Sequence, residues 1–139
     1  MNSRFWIGWL VVFVLWMGGG YLIHDVMLGA DYAALPNLFR PAAEVHEGML
    51  HLAIAHLVMA GAFTWIYSRG VTDRPWPGQG LRFGMAMALL TVVGWYFILH
   101  VVQPWPTSLV HKAMLYDSLL VIVVALVLAA IYQRKPAAG

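Results

Sequence analysis

All six histidines of this chain belong to one end of its apolar runs. His24, His46, His51, His56, His100 and His111 each lie at, or within a few turns of, a run terminus. When the runs are laid antiparallel, those termini meet on one side. Five of the six acidic residues (Asp25, Asp31, Glu44, Glu47 and Asp117) fall on that side too. Imidazole beside carboxylate at a membrane face is the donor set of a metal site, a haem site or a proton path. Four histidines are candidate metal ligands: His24, His51, His100 and His111, one from each apolar run at similar depth. Such convergence is what a four-coordinate site needs. Glu47 is the fifth candidate. Glu44, Glu47 and His51 fall within a sector of about 60° on one helix face. The bland alternative for the two glutamates is a solvated pair at a helix N-terminus, where the helix dipole favours acids.

Three further residues are candidates for orienting a ligand or relaying a proton. His56 lies deeper than the others and has no histidine opposite it. Its structural alternative is an interhelix hydrogen bond. Asp117 is the one charged residue inside the fourth run, so it must pair or protonate. Lys112, just before that run, can extend outward and leave Asp117 to His51 or His100. Methionine follows histidine at the third position four times: His24/Met27, His46/Met49, His56/Met59 and His111/Met114. Thioether with imidazole suits copper, above all Cu(I). Met27, Met49 and Met114 are accordingly candidate soft ligands, against the alternative that methionine fills apolar gaps.

The elements that must position these residues are helices in a membrane. The mean hydropathy is +0.75, and of 139 residues 62% are hydrophobic and 10% charged. Runs 5–23, 49–67, 83–102 and 113–132 each suffice for the hydrocarbon, which takes about 20 helical residues. Only helices or closed barrels satisfy their backbone in lipid, and barrel alternation is absent. We therefore expect one all-α domain over residues 1–139. Its fold is an antiparallel four-helix membrane bundle with spans at roughly 5–23, 47–68, 82–102 and 112–132. The first run resembles a signal peptide but is longer than one, and is read as a retained helix.

Between the first two spans, Tyr32, Leu35 and Phe39 recur at roughly helical spacing. This predicts a short amphipathic segment lying over the histidine end as a lid. The glycine triplet Gly18–Gly20 admits either a close neighbouring backbone or an unwound last turn. The loop from Arg69 to Gly80 is rich in proline and glycine and should be a fixed turn. The tail from Gln133 should be frayed.

Charge sets the expected orientation. Arg4, Arg69, Arg74, Arg82, Arg134 and Lys135 lie on one side, and only Arg40 and Lys112 on the other. The positive-inside rule then puts both termini in the cytoplasm of a bacterial inner membrane and the histidines outside. A net charge of +2, dispersed over the chain, excludes nucleic acid as a partner. The lipid bilayer is the expected partner, with other membrane subunits or further copies of the chain. Cysteine is absent, which removes disulfides and thiolate ligands. No phosphate-binding glycine loop, serine triad or zinc-protease motif is present.

Stretches 56–67, 78–84 and 102–106, with the Lys112…Asp117 pair and the Tyr32…Arg40 connection, resemble a family of small uncharacterised four-span bacterial inner-membrane proteins. The likeness runs from Tyr32 onward. It implies a four-span fold and nothing about catalysis, and carries over His56, Lys112 and Asp117. His51, His100 and His111 lie outside that pattern, in which a tyrosine is usual near position 100.

Three functions follow as expectations. The first is a metal- or haem-binding accessory subunit of a larger membrane complex, holding copper, another transition metal or haem b. The second is a structural or interaction subunit whose histidines join helices. The third is a small oligomeric transporter or proton-conducting unit.

Overall fold

The computed structural model describes residues 3–133. The expected tail after Gln133, with Arg134 and Lys135, lies outside the described residues. Four helices are long and apolar enough to cross a membrane: Ser3–Met27, Met49–Arg69, Trp76–Val102 and Thr107–Tyr132. They are termed here the first to fourth spans. Two short helices, Gly29–Ala33 and Ala42–Glu47, occupy the connection between the first two. The expected all-α bundle with its outer segment is thus the observed architecture, and the protein is a multi-pass membrane protein. Its two ends are named here by their charges, the histidine end and the arginine end.

The fourth span is the centre, packing against both the first and the third, while the second leans on the first. The third and fourth spans meet nearly backbone to backbone. Gly80, Gly84 and Ala88 are buried at steps of four. A Cβ built on Gly84 would lie 2.9 Å from the Ile122 Cα and 2.9 Å from the Ala125 Cβ. One built on Gly80 would lie 2.8 Å from the Ala129 Cβ. Small residues on both faces allow this approach, which drives helix association where lipid is as apolar as the side chains.

A step of four overshoots the 3.6-residue turn, so a straight helix would rotate its buried stripe away by about 40° per step. The third span avoids this with a π turn at Leu89–Val93. Its i→i+5 bonding takes up an extra residue. Val92 and Tyr96 therefore stay buried on the same stripe as Gly80 and Gly84. The first span has a π turn of its own at Leu22–Met27, closed by Leu28 N–H donating to the Ile23 carbonyl at 2.9 Å. Ile23 and Leu28 are both buried as a result. Neither reading of the glycine triplet holds as expected: the three glycines stay α-helical and their close neighbour is a side chain rather than a backbone. Gly19 packs directly on Leu120, Gly18 faces open space, and the helix changes its winding after Tyr21.

A ladder of rings joins the spans from the middle to the arginine end. Trp16 meets Phe63 at 4.9 Å, Phe63 meets Phe83 at 4.7 Å, and Tyr67 meets Phe83 at 5.1 Å and Tyr132 at 5.5 Å. The second span buries only Ala60, Phe63, Thr64 and Tyr67. Its half nearer the histidine end, residues 49–59, buries nothing.

The loop at the arginine end is fixed, as its composition predicts, but by a residue that composition does not single out. The Gln79 amide accepts from Thr72 N–H at 2.9 Å, and donates to the Thr72 carbonyl at 3.0 Å and the Arg74 carbonyl at 2.5 Å.

Candidate functional site: a carboxylate between two π turns

Asp117 is the centre of the polar structure at the histidine end. It sits nearly three turns into the fourth span, which starts at Thr107. Tyr96, from the third span, donates its hydroxyl to Asp117 Oδ2 at 2.6 Å. His24, from the first span, places Nε2 3.2 Å from Asp117 Oδ1. Each carboxylate oxygen thus has its own partner, from a different helix. His24 lies within one π turn and Tyr96 shortly after the other. Both distortions end in the same carboxylate, a placement frequent at functional sites.

The chain of bonds continues outward. His24 Nδ1 is 2.8 Å from the Tyr32 hydroxyl. A neutral imidazole that donates from Nε2 to Asp117 accepts the Tyr32 proton at Nδ1; an imidazolium donates from both nitrogens. Burial first, then the nearby carboxylates of Asp117, Asp31 and Asp25, push the Tyr32 hydroxyl well above the usual tyrosine range. Tyr32 therefore keeps its proton and is not an activated nucleophile, although hydroxyl, histidine and carboxylate stand in the order of a hydrolytic triad.

Next to Tyr32, Asp31 receives Lys112 Nζ at 2.9 and 3.0 Å. These two latches hold the short helix Gly29–Ala33 to the bundle. Above them Tyr32, Phe39, Trp105 and Tyr96 form a ring cluster. Phe39 is 4.7 Å from Tyr32 and 5.0 Å from Trp105, which is 6.1 Å from Tyr96. The lid expected from Tyr32, Leu35 and Phe39 is in place, its residues half-buried against the core.

The structure separates most of the other candidates. His51, His100 and His111 are exposed, as is Glu47. No group of three or more histidines and carboxylates that could hold a metal ion forms among the described residues. The physical reason is rotation and splay. His51 belongs to the unburied half of the second span, and His100 and His111 occupy exposed faces of the third and fourth. Of the four candidate histidines only His24 joins the cluster, between Asp117 and Tyr32. His51 and His100, expected as partners of Asp117, are replaced by His24. Lys112 turns to Asp31. His56 donates from Nδ1 to the Leu52 carbonyl of its own helix at 2.8 Å, with Nε2 toward Gly20. Met27 and Met49 are exposed, and Met114 packs against the core. Arg40 reaches Glu44 at 3.5 Å, so that glutamate is a surface charge.

Tyr96 was not among the sequence candidates. A tyrosine facing a membrane-embedded carboxylate gives no periodic signal of its own; four-residue steps from Gly84 reach it, but only when the π turn is known. Comparison with protein-family models, with curated proteins and with solved structures finds no match to this chain.

Proposed function

We propose that this chain is a non-catalytic structural or interaction subunit of a bacterial inner membrane, with the histidine end periplasmic and both termini cytoplasmic. The observation that carries this reading is the coordination of Asp117, whose two oxygens are taken by His24 and Tyr96 from two other spans. In lipid such interhelix bonds contribute roughly 0.6–2 kcal/mol each, and they set helix rotation and register. Histidine used this way is glue. The metal or haem reading loses support because its ligands are not gathered.

The proton-conducting reading loses support from the core below Asp117. Ser118 Oγ and Thr64 Oγ1 are buried hydroxyls without a partner among the described residues. Thr64 lies beside Gly8, opposite Leu128, and Ser118 to Leu128 is about 15 Å of helix. Val12, Trp16, Phe63, Val121 and Val124, all buried, pack in this region, which favours the structural reading over a proton path.

An absorption spectrum and metal analysis of the purified protein test the reading. We expect no Soret band and no stoichiometric metal. A band or metal that disappears in His51→Ala or His100→Ala would return the protein to the ligand-binding class. For orientation, cysteine placed at Asn37 should react with an impermeant thiol reagent added to intact cells; labelling only after lysis reverses the topology.

A further inference from the structure

The arginine end carries a feature that the structural reading does not use. A cleft of about 400 Å³ opens between the second and third spans, lined by Ile66, Tyr67, Thr72, Arg74, Arg82 and Phe83 among others. Its walls differ by depth. Toward the membrane interior they are apolar, from Ile66, Tyr67 and Phe83. Toward the arginine end it is lined by Arg74 and Arg82. Arg82 is held in orientation by donating from Nε to the Gly78 carbonyl at 3.2 Å. Arg74 sits on the loop that Gln79 pins through its backbone. Neither arginine has a carboxylate partner among the described residues. The described cations of this end are Arg4, Arg69, Arg74 and Arg82, against the single acid Asp73. Arg4 reaches the Tyr132 carbonyl and Arg69 lies over the Trp65 ring at 5.4 Å. Arg74 and Arg82 are therefore the pair that faces a shared cavity.

We propose that this cleft binds the phosphate headgroup of an anionic phospholipid, with Arg74 and Arg82 as its phosphate ligands. The planar guanidinium matches a phosphate in two-point geometry. A cationic lining beside an apolar seam between membrane helices fits a lipid, whose phosphate sits at the interface and whose acyl chain descends. A free phosphate satisfies the arginines and leaves the seam unused, so the lipid is the occupant.

The test uses the full chain in nanodiscs. Thermal unfolding and native mass spectrometry are compared between phosphatidylcholine alone and phosphatidylcholine with phosphatidylglycerol. An interfacial cation contributes roughly fivefold in affinity for anionic lipid. Arg74→Gln with Arg82→Gln should then lower retention of phosphatidylglycerol about 25-fold while melting like the parent in pure phosphatidylcholine. Arg74→Lys with Arg82→Lys, which folds with the charge kept, should retain the lipid more weakly than the parent and better than the glutamine pair. Arg69→Gln, outside the cleft, should lose no more than the roughly fivefold of one general interfacial charge. An equal loss in Arg69→Gln would mean general interfacial charge and overturn the site. Equal retention by the glutamine pair would do the same. Inorganic phosphate in phosphatidylcholine discs should not reproduce the thermal shift; a full shift with phosphate alone would overturn the lipid assignment.

Discussion

The histidine end and the arginine end hold their helices by opposite means. At the histidine end the spans are joined by directional bonds between titratable groups, Tyr32–His24–Asp117–Tyr96 and Lys112–Asp31. At the arginine end they are joined chiefly by rings and by glycine-to-backbone contact; Arg4 adds a bond to the Tyr132 carbonyl, and Gln79 ties a loop to itself. Packing of the second kind is non-directional and tolerates small rotations. Bonds of the first kind do not, and two helices change their winding to meet them. The lesson is that π turns appear where a polar contact dictates helix rotation, and that small residues suffice where only proximity is needed.

The largest expected effect breaks the arginine-end side of this contrast. Gly84→Val drives a branched side chain into the Ile122 backbone, which cannot yield as a flexible side chain would. We expect a loss of about 3 kcal/mol, read by unfolding in detergent, with the third span separating from the fourth.

Asp117→Ala tests the histidine end. It leaves the Tyr96 hydroxyl and His24 Nε2 without their acceptor, and should cost about 2 kcal/mol. A double-mutant cycle with His24→Ala should return a coupling of about 1 kcal/mol. A coupling of zero would mean that the pair is incidental and the π turns have another cause.

Gln79→Ala should cost about 1 kcal/mol, and should show chiefly as faster proteolysis around Val71–Arg74 with the spans intact. Asp31→Ala or Lys112→Ala removes a half-exposed ion pair, for which we expect under about 1 kcal/mol. Its clearer sign is local: a cysteine at the half-buried Leu35 should gain reactivity as the lid loosens. The smallest effects belong to His51→Ala, His100→Ala and His111→Ala, each within about 0.5 kcal/mol. A larger loss at any of them would reveal a partner that the isolated chain does not contain.

The four spans were legible because membrane insertion depends on summed apolarity over about 20 residues, a property of the linear chain. The lid was legible from Tyr32, Leu35 and Phe39 for a similar reason, since helical spacing alone aligns them on one face. Asp117 stood out as the one charge in its run. Its partner did not, because three helices offered a histidine at similar depth and depth is all that residue counting supplies. Gly80, Gly84 and Ala88 carried a readable small-residue pattern, one that attention to the polar residues passes over.

By itself, then, the chain determined that it is an all-α, four-span membrane protein and which residues lie near each end. Both are consequences of local composition and of the 1.5 Å rise per helical residue. The tertiary structure alone decided which histidine meets Asp117. That choice depends on the rotation of each helix about its axis. Rotation is set by the two π turns, in which one extra residue moves every later side chain to a new face.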